Sequence, residues 1–153
     1  MPIKNHHPVG SAENPHADPT QFMLLFRHGP WDLDMTPEQI TRVMDEVTDW
    51  FDGVVKRGIV VGGMPLHEGG KSVTIRNGEV SVTDGPFVEA KEAVAGYLIL
   101  KVDTMDEAVA LARTSPLLKH GMITEVRQIA GECPVYERLR QKMADREPGA
   151  AVV

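Results

Sequence analysis

Residues 21–27 read QFMLLFR, and the interpretation of the whole chain starts from this stretch. Its alternate side chains are apolar in both sets, three in one (Phe22, Leu24, Phe26) and two in the other (Met23, Leu25). Successive side chains of a strand point to opposite faces of the sheet, so a strand that is apolar on both faces is buried on both. The stretch therefore predicts a central strand covered on its two sides.

A long amphipathic helix is predicted next. Thr36 is a good N-cap, Pro37 suits the first helical position, and Gln39 completes a capping box. Gly58 is a typical residue beyond a helix C-terminus. Apolar residues spaced by three and four predict one buried stripe, made of Ile40, Val43, Met44, Val47, Trp50, Phe51, Val54 and Val55.

The other predicted elements follow from local signals. Asn77-Gly78 between two alternating runs is a strong hairpin signal, and Thr104 with Glu107 has the spacing of a second capping box. The remaining strands and the last helix are predicted at residues 59–61 (closed by Gly62-Gly63), 94–102, 123–129 and 136–146. With the hairpin as an insertion, the order is β-α-β-β-α-β, which predicts an α+β, ferredoxin-like fold.

This order places both helices on one face of an antiparallel sheet. The other face needs a second layer, and a second copy of the sheet would supply it, so the chain is predicted to be a homodimer. Three regions are expected: a mobile tail at 1–20, a folded domain at 21–130 and a helical extension with a tail at 131–153.

Composition narrows the functional class. The chain has 153 residues, 42% of them apolar and 25% charged, which suits one globular domain. The net charge of −6 and the lack of a basic patch argue against a nucleic-acid partner. No apolar run approaches the ~20 residues that span a bilayer, and the N-terminus has no signal-peptide core, so a cytoplasmic protein without a membrane partner is expected. The single Cys133 excludes an internal disulfide.

The most distinctive stretch is 82–92, VTDGPFVEAKE. Together with Gly62-Gly63-Met64-Pro65, Gly96-Tyr97, Asp106-Glu107-Ala108 and Ser115-Pro116, it resembles the DGPF group of the YCII-related family. The resemblance covers roughly residues 23–129. It implies a dimeric α+β barrel of ferredoxin-like protomers, and it implies for some members an acid–base site with a His–Asp pair.

The resemblance places the candidate catalytic aspartate at Asp84. The family's histidine usually lies in the first helix, and residues 36–57 contain none. His28, after the first strand, is the preferred substitute, and His120 is the second. A histidine titrates near neutral pH and so suits general acid or base catalysis. Each of them also has a plain reading as a polar loop residue.

Three further residues are candidates for substrate binding. Arg27 could bind an anionic group through its planar guanidinium. Trp31 could form a pocket wall, or simply cover the start of the helix, and Phe87 follows the Asp-Gly-Pro turn. No metal and no cofactor is expected, since P-loop, GxGxxG, HExxH and GxSxG motifs are missing.

Two functions remain open at this point. The first is an acid–base enzyme of lyase or isomerase type, acting on a small organic acid or phenol-like compound. The second is a non-catalytic dimeric module that binds a small ligand or a regulatory partner. The separation of Asp84 from a histidine nitrogen discriminates between them, because a working pair needs a separation within about 4 Å.

Overall fold

The computed structural model describes residues 20–27, 29–85 and 93–146. The expectations for the tail at 1–19, for His28 and for Phe87 lie outside the described residues. The described chain divides into two compact units, one of residues 21–127 and one that includes residues 128–146. The larger unit carries the sheets and all of the candidate site residues that are described.

The larger unit has a mixed α+β fold. Its elements are β1 Gln21–Arg27, α1 Pro37–Lys56, β2 Val60–Pro65, β3 Lys71–Arg76, β4 Glu79–Asp84, β5 Val94–Lys101, α2 Met105–Ala112, the 3₁₀ helix Pro116–His120 and β6 Ile123–Gln128. The main sheet has four strands in the order β2-β5-β1-β6, and both β1 and β2 pair with β5 in antiparallel fashion. This arrangement is compatible with the predicted ferredoxin-like fold.

The two faces of β1 differ in burial. Leu24 and its cross-strand partner Leu98 are 0% and 3% exposed, and they pack in one core with Val54 of α1 and Leu111 of α2. On the opposite face, Leu25 is only half-buried. The helices therefore cover one face of the sheet.

Both α-helices of this unit begin at their predicted caps. In α1 the capping box is complete: the Gln39 N–H donates to Thr36 Oγ1 (3.2 Å) and the Thr36 N–H donates to Gln39 Oε1 (2.8 Å). In α2 the Glu107 N–H donates to Thr104 Oγ1 (3.2 Å), but the Glu107 carboxylate accepts from the Asp103 N–H instead of the Thr104 N–H. The second capping box is therefore incomplete: the carboxylate bonds the N–H of the residue before the N-cap rather than that of the N-cap itself.

The predicted stripe of α1 is only partly buried. Val43, Val47 and Val54 are buried, whereas Met44 and Val55 are 44% and 56% exposed. Trp50 and Phe51 are half-buried and pack against the core from its border. The stripe was predicted as uniform core, and the difference arises because part of it faces a cavity.

The strand β2 continues where the sequence predicted its end. Gly62 and Gly63 do not close it but lie within it, and the strand runs on to Pro65. A Cβ atom at Gly63 would lie 2.6 Å from the carbonyl oxygen of Tyr97 on β5. The glycine is required by the close approach of two strands, not by a turn.

The hairpin β3–β4 forms as predicted. Asn77 and Gly78 have φ values of 52° and 81°, the left-handed pair that a two-residue type I′ turn requires. The two strands make a sheet of their own, with Val73 paired to Val82 and Ile75 to Val80. All four of these side chains are 58–72% exposed.

The smaller unit contains α3, Pro134–Arg146, which begins two residues before the predicted start at 136. Both carboxylate oxygens of Glu132 accept hydrogen bonds from the Arg140 guanidinium, at 2.8 and 2.6 Å. These bonds lower the pKa of the Glu132 carboxyl. In the described part of the chain, no helix combines the length and apolar character needed to cross a membrane.

Candidate functional site

The larger unit contains a cavity of about 640 Å³, here called the α1 cavity. It lies between α1, the end of β1, strands β2 and β5 and the start of the 3₁₀ helix. Most of its described lining is aromatic or aliphatic, including Phe26, Trp31, Trp50, Phe51, Met44, Val47, Met64, Leu117 and Met122. Ligand pockets span about 300–1,000 Å³ and are mostly apolar, so size and lining both suit a small organic molecule.

The aromatic wall is held by specific contacts. The Trp50 indole Nε1 donates to Thr114 Oγ1 (2.8 Å), and the Thr114 hydroxyl in turn donates to the Leu111 carbonyl (2.6 Å). The Phe51 ring lies edge-on to Trp50 at 5.0 Å and to Phe26 at 6.3 Å between centroids. These contacts fix the ring orientations, and they explain why Trp50 and Phe51 are half-buried: one side of each packs on the core and another faces the cavity.

The sheet side of the cavity is built partly from glycine. Gly62, Gly63 and Gly96 all line it. A Cβ atom at Gly96 would lie 3.0 Å from the Met64 carbonyl oxygen. The missing side chains at Gly63 and Gly96 let β2 and β5 pack closely.

Ser115 supplies a buried hydroxyl to this apolar space. The residue is 5% exposed and lines the cavity. It occupies the N-cap position of the 3₁₀ helix, yet its side chain makes no capping hydrogen bond. The Leu118 N–H, a natural partner for a capping hydroxyl, donates to the Ser115 carbonyl instead (3.3 Å).

His120 lies behind one wall of the cavity. Its ring packs on Trp31, with centroids 5.5 Å apart and planes tilted by 32°. His120 Nε2 is buried and has no hydrogen-bond partner among the residues that the structure describes. Trp31 lines the cavity, so the imidazole is one side chain away from any ligand bound there.

The 3₁₀ helix that carries His120 is tied to α1 by an ion pair. Lys119 Nζ lies 2.5 Å from Glu46 Oε2. The hydrogen bond and the charge of Lys119 lower the pKa of the Glu46 carboxyl, and nearby His120 adds to the effect. Two elements that border the cavity, α1 and the 3₁₀ helix, are thereby joined to each other.

The other candidate residues lie apart from this lining. Arg27 pairs with Glu125 of the neighbouring strand, with Nη1 and Oε1 3.5 Å apart. Asp84 is at the end of the hairpin, with its side chain 76% exposed and its carboxylate 2.5 Å from Lys71 Nζ. No described histidine forms an ion pair with Asp84, and His28 and Phe87 lie outside the described residues. The structure thus packs His120 against Trp31 of the described lining, whereas neither Arg27 nor Asp84 is a lining residue.

Comparison with known protein families identifies the family of this chain. The chain matches the model of the YCII-related domain over residues 20–132, which is most of its length. It belongs to the YCII-related family. This agrees with the resemblance seen in the sequence.

A comparison of this YCII-related chain with curated proteins gave no match. Among solved structures, it is similar to 5-chloro-2-hydroxyhydroquinone dehydrochlorinase (TftG) from Burkholderia phenoliruptrix AC1100, solved in complex with 2,5-dihydroxybenzoquinone. The two share 14% sequence identity with a TM-score of 0.41, over 71% of this chain and 91% of that one.

Sequence reasoning missed several features of the site. Trp50 and Phe51 were assigned to the core, and Gly62-Gly63 to a strand end. Ser115 was noted only as part of a family motif. A serine directly before a proline is a usable signal for the start of a short helix. Nothing in the neighbouring sequence indicates that the Ser115 hydroxyl would face a cavity.

Proposed function

We propose that this YCII-related chain binds a small, ring-shaped, phenol-like molecule in the α1 cavity. The observation that carries the proposal is the cavity itself: about 640 Å³, walled by tryptophan and phenylalanine, with one buried hydroxyl. Aromatic walls favour flat rings because ring pairs stack or meet edge-to-face with favourable geometry. The apolar area removed from water supplies most of the binding free energy.

A cavity-blocking variant tests the proposal. Val55 lines the cavity but is 56% exposed, so Val55→Trp should fill the space without unfolding the chain. Val73→Trp on the hairpin, at 67% exposure, is the matched control. A panel of phenols and naphthols is titrated calorimetrically. Binding to the native protein and to the control, but not to Val55→Trp, is expected. Equal binding by both variants would place the ligand elsewhere.

A homodimer is the proposed assembly. The sheet face opposite the helices carries a patch of half-buried apolar side chains on β1 and β5, namely Met23, Leu25, Tyr97 and Ile99. Packing two such faces together would remove this patch from water and build the α+β barrel that the family resemblance implies.

Acid–base catalysis on the bound ring is the second candidate function. What favours it is His120, whose imidazole packs on the cavity wall at Trp31 and whose Nε2 is buried without a partner among the described residues. If a ligand displaced the Trp31 ring and reached Nε2, this base would remove a proton from the ligand and return it at another position. His28 and Asp84 stay in the hypothesis as alternative members of the pair, with Arg27 and Phe87 as binding residues.

Hydrogen exchange at ring carbon tests for such catalysis without a known substrate. Each bound phenol is incubated in deuterium oxide, and loss of its ring proton signals is followed by NMR. If His120 transfers protons, exchange is faster than in buffer and falls in His120→Gln while binding persists. Exchange at the buffer rate for every bound compound would leave a binding protein.

The part of Asp84 is tested separately. Asparagine is nearly isosteric with aspartate and can still hold a turn, so Asp84→Asn should preserve folding. Loss of exchange or affinity in this variant would support a carboxylate in the site. Unchanged exchange and affinity would show that Asp84 serves only the hairpin, where it pairs with Lys71.

A further inference from the structure

The α1 cavity has no charge on its described lining. Of its 21 described lining residues, those with a polar side chain are serine, threonine, tyrosine and tryptophan, and none is Asp, Glu, Lys, Arg or His. The Tyr97 side chain alternates with Leu98 along β5 and so lies on the opposite face of the sheet. Moving an ionised carboxylate out of water into such a space is costly unless a cation or several hydrogen-bond donors receive it. The described lining therefore favours an uncharged ligand over an anionic one.

Arg27 does not remove this discrimination. The sequence predicts Arg27 as the cation that binds an anionic substrate group. Its guanidinium pairs with Glu125, however, and Arg27 is not among the described lining residues. Lys119, the cation on the 3₁₀ helix, is engaged by Glu46. Each of these two cations is thus already paired with a carboxylate of the chain.

The Ser115 hydroxyl is a buried polar group of the described lining with spare bonding capacity. A serine at an N-cap normally accepts a hydrogen bond from an N–H two or three residues on. Here that bond is not made, and the Leu118 N–H donates to the Ser115 carbonyl. A hydroxyl offers one donor and two acceptor positions, and in a residue that is 95% buried these positions have few water molecules to satisfy them. A ligand oxygen in the cavity would do so.

We propose that the α1 cavity selects an uncharged aromatic alcohol or carbonyl compound, with the Ser115 hydroxyl as its hydrogen-bonding anchor. This inference rests on the proposed function and narrows it: of the small acid and the phenol-like compound, only the second fits. A phenol is bound in its protonated form, so that its O–H or its oxygen lone pair meets Ser115 Oγ. The serine is a specificity-determining residue that recognises the polar end of an otherwise apolar ligand.

Three compounds of similar shape separate the effects of a hydroxyl group and of a charge on binding affinity. Naphthalene carries no polar group, 2-naphthol adds a neutral hydroxyl, and 2-naphthoate adds a charge. With the native protein at neutral pH, we expect 2-naphthol to bind at least about 10-fold more tightly than 2-naphthoate, because the carboxylate finds no described partner. The hydroxyl should also give 2-naphthol an advantage of about 10-fold over naphthalene.

The Ser115→Ala variant isolates the anchor. Its 2-naphthol/naphthalene ratio should fall towards 1, while naphthalene binding stays unchanged, since only the hydroxyl bond is removed. Ser81→Ala, the same change on the hairpin, is the control and should keep the native ratio. Ser115→Thr retains a hydroxyl and should keep part of the preference. If Ser115→Ala fails to fold, Ser115→Cys preserves the volume, and the same fall in ratio is expected from its weak sulfur donor.

The outcomes distinguish this inference from the proposed function. Tight binding of 2-naphthoate, or a native ratio in both Ser115→Ala and Ser115→Cys, would overturn the selection for neutral ligands or the anchor, while a ring-binding cavity would stand. If none of the three compounds binds, the proposed function fails and the inference falls with it.

Discussion

At the scale of single residues, one carbon atom added at Gly63 should destabilise the fold. Its Cβ would lie 2.6 Å from the Tyr97 carbonyl oxygen and 3.0 Å from Leu98 Cα, both of them backbone atoms that cannot swing away. We expect Gly63→Ala to lower the free energy of unfolding by about 1–3 kcal/mol, the usual range for overpacking. Urea denaturation measures it.

Gly62→Ala provides the control for that prediction. An added Cβ at Gly62 has no atom within 4 Å, so the free energy of unfolding should change by less than about 0.5 kcal/mol. Equal losses in both variants would mean that glycine is needed in β2 for its backbone flexibility rather than for close packing against β5.

The same residues show what the sequence could predict. The capping box of α1 and the Asn77-Gly78 turn were predicted correctly because both are set by neighbours within three residues. Gly62-Gly63 was misread as a strand end because the reason for glycine at position 63 lies on β5, more than thirty positions away. Ser115 was not recognised for the same reason, since the cavity it faces is assembled from distant segments.

At the scale of elements, the joint between α1 and the 3₁₀ helix depends on pH. Lys119 holds the pKa of the Glu46 carboxyl below its ordinary value of 4.5. A lowered pKa in the folded state means that the pair stabilises the fold above the unfolded-state pKa, and that this contribution is lost as pH falls through the folded value.

Removing the lysine should remove that dependence. In Lys119→Met, the Glu46 pKa should rise towards 4.5, as read by carbon NMR of its carboxyl group. The stability difference from the native protein should be small, because the pair is exposed, and should shrink further below pH 4.5. Lys142→Met on α3 is the control. A Glu46 pKa that does not move would show that the ion pair does not persist in solution.

The main sheet and the hairpin should differ sharply in their share of the stability. Leu98 on β5 is 3% exposed within the core, so Leu98→Ala should cost about 2–5 kcal/mol. Ile75 on β3 is 72% exposed, and Ile75→Ala should cost less than about 0.5 kcal/mol. Thermal unfolding of both variants measures this. A large loss from Ile75→Ala would reveal that the hairpin's apolar face is covered in solution.

At the scale of the whole molecule, the order of elements was predictable while the cavity was not. The strand and helix signals are local, and their order restricts the fold to the ferredoxin-like class that the β2-β5-β1-β6 sheet is compatible with. The volume between α1 and β2 depends on how large side chains such as Trp50 and Phe51 are turned. Their spacing is the same for a filled core and for a cavity wall.

The proposed dimer is the prediction that belongs to this scale. Two copies joined through the faces that lack helices should bury on the order of 1,200 Å² or more in total. Leu25 lies on that face and is half-buried, so Leu25→Asp would place a charge in the interface without entering the helix-covered core. The native chain should sediment as a dimer at micromolar concentration and Leu25→Asp as a folded monomer, with circular dichroism as the check on folding.

Val73→Asp, on the exposed hairpin, should remain dimeric. A native chain that sediments as a monomer would rule out the dimer, and a Val73→Asp monomer with a Leu25→Asp dimer would move the interface to the hairpin.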